Sequence, residues 1–253
     1  MSEETAPVKR SKKGNGWTIH LFPVPILIIY GMFVLYPILA ALSYSFFSFK
    51  GFTRDAFVGL DNFVTLFTTE PYGSMFRNAF SHNVLYFCIQ MVVMNGLAFL
   101  LAFIVYKKVK GAEFFKVAFF LPRLLSVIVV GFLWKLILNP NFGTLNLILG
   151  KLGLENLQRA WLGEPETALI SIILVNCWFG LGFGVLIFLA GFQSIPGELI
   201  EAARLDGAKG VSMLRKIYIP LMIPSILIMT VLTFIQSFEA FELVYAMQGS
   251  MGE

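Results

Sequence analysis

The chain of 253 residues is 57% apolar and only 13% charged, with a mean hydropathy of +0.78. A soluble domain runs about 45–50% apolar and about 25% charged, so this composition excludes a soluble globular protein and a disordered chain, and leaves a membrane protein. Cys88 and Cys177, both in apolar runs, exclude a disulfide framework or a cysteine metal site, and His20 and His82 alone leave little for haem or zinc.

In chain order, a basic tail (residues 1–18, with VKRSKK) precedes an apolar run from Ile19 to Phe47. That run exceeds the roughly 7–15 apolar residues of a secretory signal and reads as an uncleaved first span. Pro23, Pro25 and Pro37 are compatible with it, because neighbouring helices and local adjustments satisfy the freed carbonyls. An amphipathic, Phe-rich segment follows from Lys50 to Arg77. Charge-free windows then mark a second span between Arg77 and Lys107, a fourth between Glu166 and Glu198, and a fifth between Lys216 and Glu239. The third, Val117 to Leu138, is weaker because it holds Pro122-Arg123 and ends at Trp134-Lys135, an interfacial aromatic and a snorkelling lysine. These elements predict an all-α polytopic transmembrane helix bundle of five spans.

Placing the N-terminus in the cytoplasm puts thirteen of the nineteen Lys and Arg inside. They are Lys9, Arg10, Lys12 and Lys13 of the tail; Lys107, Lys108, Lys110, Lys116 and Arg123 of the next loop; and Arg204, Lys209, Arg215 and Lys216 of the last. This bias favours the orientation over its inverse and makes nucleic acid an unneeded explanation of the +4 charge.

The loop from Gln193 to Lys216 carries the most information. Ser194 before Pro196, with Glu198 near the positive end of the helix dipole, predicts a short helix start. Ile195, Leu199, Ala202 and Leu205 recur at roughly helical spacing, and Gly207 suits a C-terminal cap with positive φ. Two turns of helix are not stable alone, so contacts with the protein itself or with a partner must hold them. Ala202 and Ala203 are small enough to enter a groove, and Glu201 offers an acceptor to a cation.

Polar residues within spans are costly and face a cavity or another helix. Gln236, Glu239 and Glu242, spaced i, i+3, i+6, are expected to share a helical face near the outer end of the fifth span. With Asn176 and Trp178 of the fourth they are candidates for a solute path. The alternative is that Glu239 or Glu242 pairs with Lys135. Asn83, Gln90 and Asn95 of the second span are read as bonds across helices, and Gly180 and Gly184 as helix packing.

EAARLDGA, followed by IYIPLMIPS, resembles the loop shared by permease subunits of binding-protein-dependent ABC importers, and its Asp-Gly-Ala ending resembles the carbohydrate-uptake group. FLPRLLSVIVVGFLWKLILNPNFGTLNLIL, NCWFGLGFGVLIFLAGFQSIP and FPVPILIIYGMFVLYPILAALSYSF are similar to the first-type sugar permeases, and Gly59 to Phe63 matches a run that relatives carry on the outer face. The resemblance implies residues 19–253 as the permease domain, with a coupling helix in the 193–216 loop docked in a cleft of an ATPase. It implies a second homologous permease, two ATPase subunits and an extracytoplasmic binding protein as partners, a sugar or sugar-like solute, and the cytoplasmic membrane as location. Carried over, Glu201, Ala202 and Ala203 are the loop's core, with Glu198 ahead of it, Asp206 and Gly207 the turn, and Pro220 the close. No G-x-x-x-x-G-K-[ST] occurs, so the partners would hydrolyse ATP. No cofactor, metal or catalytic residue is expected.

The resemblance also implies a family core of six spans, so MQGSMGE after the fifth raises the expectation of a missing sixth or an unusual five-span member. Two other classes compete. A membrane enzyme would need clustered carboxylates for Mg²⁺, which the sequence lacks. A proton-coupled carrier using Glu239 and Glu242 is the alternative the spans alone leave open.

Overall fold

The computed structural model describes residues 21–249, so the basic tail and the chain's last four residues lie outside it. The chain groups into two compact units, Met1–Arg77 and Asn78–Glu253.

In the first unit, α1 (Val24–Tyr44) is long and apolar enough to cross a membrane. Its middle, Gly31–Leu35, is a wider turn in which Tyr36 N–H bonds Gly31 rather than residue 32. Pro37 directly follows. A proline lacks the donor and collides with the carbonyl four residues back, so the widened turn is a local adjustment that lets the helix continue. A hairpin, β1 (Phe47–Lys50) with β2 (Thr53–Phe57), then departs from the all-α expectation. Gly51, at φ +63°, allows its tight turn, Lys50 pairs with Asp55 at 2.8 Å, and the Arg54 guanidinium lies 3.4 Å from the Phe47 ring centre. Asn62, in the first turn of α2 (Asp61–Thr68), donates to the Ser45 and Phe47 carbonyls. Gly59 turns at φ +58°, and Phe63 packs on Phe46. The Gly59–Phe63 run therefore has a structural use: it pins α2 to the hairpin.

The second unit is built around α3 (Tyr72–Tyr106), which begins just before the unit boundary, and α7 (Pro165–Gln193), both long and apolar enough to span. Between them come α4 (Ala112–Leu124), α5 (Val127–Ile137) and α6 (Thr144–Lys151). After α7 come α8 (Gly197–Leu205), α9 (Gly210–Leu221), α10 (Ile223–Phe238) and α11 (Phe241–Gln248). Three described helices have the length and apolarity of a span, or up to five if each bent pair counts as one.

The weak third span and the plainer fifth are both bent. α4 and α5 meet at 97°, because Leu125 and Ser126 are extended (ψ 150° and 140°) just after Pro122. The expected continuous third span is thus two short helices. α9 and α10 meet at 67°, where Pro224 has no N–H to return to Pro220. A second widened turn, Leu214–Tyr218, precedes Pro220 as the first precedes Pro37.

Lipid offers helices no hydrophobic reason to associate, so close packing must come from small residues. A side chain on Gly184 would meet Ala98 at 2.9 Å and one on Gly180 would meet Met94 at 2.7 Å, both on α3. The Gly180/Gly184 pair does pack helices, as expected, and Gly182 faces the other way, onto the Phe119 carbonyl of α4. Asn95 donates to Thr233 at 3.0 Å, a bond across helices as expected. Gln90, in a third widened turn, is fully buried with neither amide atom bonded.

Candidate functional site

Two sites follow from this frame, one at a helix end and one beside the middle of α7. At the first, Phe103 and Tyr106 of α3, Phe192 of α7 and Tyr218 of α9 form an aromatic cluster with ring centres 5.3–6.1 Å apart. α8 rests beside it and buries Ile200 and Ala203, with Ile195 just ahead. The opposite side of α8 is open: Glu198, Leu199, Glu201, Ala202 and Leu205 are exposed, Leu205 at 89%. The apolar stripe read from the sequence is therefore the outward one, and a second pair, Ile200 and Ala203, makes the inward one. Of the two alanines, Ala203 seats the helix and Ala202 is offered to solvent.

The ends of α8 differ in how well they were foreseen. Ser194 does not cap it; its hydroxyl donates to Gly191 at the end of α7, and Pro196, expected in the first turn, takes the cap position. Gly207 behaves as expected, with φ +82°. Its N–H bonds Arg204 and the Ala208 N–H bonds Ala203, the pair of bonds that closes a helix through a left-handed residue. A side chain on Gly207 would meet no atom within 4 Å, so the demand for glycine is conformational alone. Asp206, the helix's last flanking residue, and Pro220, on α9, stand clear of the exposed stripe in sequence and frame it.

At the second site, a cavity of about 180 Å³ is lined by Arg123, Asn176, Phe179, Gln236, Glu239 and Glu242, among others. Phe179 is buried halfway along α7, while Arg123, Glu239 and Glu242 at the cavity's rim are exposed. Gln236, Glu239 and Glu242 do converge, but not on one helix. α10 stops at Phe238, Glu239 flanks its end, and Glu242 belongs to α11. The convergence comes from the break between α10 and α11.

Arg123 is the charged lining residue that the sequence-based candidates did not include. Counted with the cytoplasmic loop, it sits at the α4–α5 break with its guanidinium 4.7 Å from the Phe179 ring centre. Lining the same cavity as two carboxylates, it forms no ion pair with either within 4 Å among the described residues, and neither carboxylate pairs with Lys135. The signal was present: an arginine next to proline inside an otherwise apolar window. Asn176 lines the cavity and donates to Tyr86 at 2.7 Å, so it also bonds across helices. Trp178 points elsewhere, exposed and edge-on to Trp134 with ring centres 5.5 Å apart.

Asn146 was also missed. Its side chain donates to the Pro140 and Arg159 carbonyls and accepts from Trp161 at 2.8 Å, tying α6 to the segment before α7.

Residues 75–252 match the binding-protein-dependent transport system inner membrane component family. The "Probable ABC transporter permease protein YurN" of Bacillus subtilis (strain 168) is 37% identical over 235 residues, 91% of this chain and 78% of that one. The "Multiple sugar-binding transport system permease protein MsmF" of Streptococcus mutans is 31% identical over 92% of this chain and 78% of its own. A crystal structure of a bacterial ABC transporter that imports the acidic polysaccharide alginate matches with a TM-score of 0.73 and 26% identity, over 92% of this chain and 80% of that one. A helical membrane subunit with an exposed, seated helix between α7 and α9 is thus joined to a family. The chain belongs to the binding-protein-dependent transport system inner membrane components: it is an ABC-importer permease subunit. The alternative of a proton-coupled carrier has no support in this family.

Proposed function

We propose that the chain is one of two membrane subunits of a sugar importer, with residues 19–253 as its permease domain and the 193–216 loop as its docking element. The observation that carries this is the two-sided helix α8: seated on its own protein by Ile200 and Ala203, it presents Leu199, Ala202 and Leu205, flanked by Glu198 and Glu201. A helix of nine residues seated on one face and apolar on the other is suited to a cleft in an ATPase, where Glu201 meets a cation.

In this reading the two bent helix pairs complete five spans, the N-terminus is cytoplasmic, and the α8 end faces the ATPases. Loss of Arg123 from the cytoplasmic count leaves twelve positive charges inside against six in the outer segments, which still supports that orientation. The polar cavity is the solute path: amide and carboxylate groups not tied up in ion pairs bond hydroxyls, and the aromatic Phe179 offers a face to a ring. Sugar as the solute class rests on the names of the relatives above and on this lining. A second permease, two ATPase subunits and an extracytoplasmic solute-binding protein complete the assembly.

The test is reconstitution of the chain with these partners in proteoliposomes, measuring ATP-driven sugar uptake alongside ATP hydrolysis. Glu201→Ala and Gly207→Val are expected to assemble yet lose at least about tenfold in coupled uptake. Normal coupling in both would sink the docking role.

A further inference from the structure

A large groove opens beside α8 and is used by neither site. Its volume is about 670 Å³, its walls include Phe103, Val211, Leu214 and Tyr218, and its charged lining is Lys107, Arg204 and Lys209 with no acidic residue. Among the described residues none of these three cations has an ion-pair partner. Lys107 is instead held in place, donating to the Tyr218 hydroxyl at 3.3 Å and lying 5.1 Å from the ring centres of Phe103 and Tyr218.

Depth decides what such a groove suits. Lys107 follows directly on Tyr106, the last residue of a 35-residue apolar helix, and a helix of that length outreaches the hydrocarbon core of about 30 Å, so its charged end belongs in the headgroup region. An apolar trough with cations at its rim at that depth matches an amphiphile whose head is negative and whose tail is hydrocarbon. Basic pockets between transmembrane helices on the cytoplasmic side accept anionic headgroups, and that leaflet is the one rich in them.

We infer that the groove between α3, α8 and α9 is a binding site for an anionic phospholipid, its phosphate held by Lys107, Arg204 and Lys209 and one acyl chain laid along Phe103, Val211 and Leu214. The site adjoins the inner face of the docking helix, so its occupant would steady α8 from behind. The inference needs only the membrane reading and is independent of the solute.

The assembled transporter, purified in neutral detergent, is titrated with phosphatidylglycerol, phosphatidylcholine or glycerol phosphate, and retained lipid is read by native mass spectrometry. Phosphatidylglycerol is expected to be retained selectively. The double variant K107Q/K209Q should hold it about thirtyfold less tightly, since each basic residue near the surface contributes about a fivefold attraction. K108Q/K110Q, which removes as much charge outside the groove, should hold it as the parent does. Equal loss in both double variants, equal retention in K107Q/K209Q and the parent, or competition by glycerol phosphate as strong as by the lipid would each overturn the assignment. So would retention of the lipid by the permease pair alone but not by the assembled transporter, since the groove would then be the seat of the ATPases.

Discussion

Arg123 has the most consequential single position in the chain. An arginine within an otherwise apolar window is costly in a membrane and persists where it has work or partners; here the exposed Arg123 has an aromatic face and a cavity shared with Glu239 and Glu242. If these groups bond the solute, Arg123→Ala removes a charge-assisted hydrogen bond worth about 1.5–3 kcal/mol, or roughly ten- to a hundredfold. Uptake by proteoliposomes should show that loss as a raised KM, with ATPase subunits still bound. Unchanged uptake would remove the cavity from the path. Glu239 and Glu242 were legible in the sequence because charge in an apolar window stands out. Arg123 stood out equally but was assigned by neighbourhood to a basic loop, since no sequence pattern shows that the backbone turns back at Leu125 and Ser126. Trp178 failed for a simpler reason: two residues from Asn176 on a helix, it lies far around the barrel from it.

Among the elements, α8 shows what periodicity does and does not decide. The spacing of Leu199, Ala202 and Leu205 identified an apolar stripe, but a stripe on a short helix between two spans can face its own protein or point away from it, and the packing of Ile200 and Ala203 shows that this one points away. The glycine turn was fully legible because its cause is local: a left-handed residue costs an L side chain about 1–2 kcal/mol wherever it stands. Asn146 was not, since its partners lie up to 15 residues away. Asn146→Ala strands several of them and is expected to cost about 1–3 kcal/mol, seen as a lower melting temperature of the purified transporter; an unchanged melting point would mean the outer segment is held by other contacts. Gly182→Val, whose side chain would land on the Phe119 carbonyl, should force α4 off α7 and cost about 1–3 kcal/mol, read by the same melt.

On the scale of the whole molecule, composition alone gave the membrane class, and charge-free windows found the three long helices, because apolar length is a one-dimensional property. The two bent pairs escaped it. Their residues are as apolar as a span, and the bends depend on where prolines and extended residues fall relative to neighbouring helices. One of those bends places Arg123 beside the cavity, whereas Glu239 and Glu242 reach it from the separate break between α10 and α11. The bundle has a cavity lined by charged residues and a helix seated at one end, and α9 and α10 join the seated helix to the cavity along the chain.

The most direct test is whether the outer face of α8 holds an ATPase. The chain, expressed with its partner permease and the ATPase subunits, should bring the ATPases through purification. Leu199→Asp/Leu205→Asp, which alters only exposed positions of α8, should leave the two permeases together and release the ATPases. Undiminished recovery of the ATPases with that variant would contradict the assignment of α8 as the coupling helix.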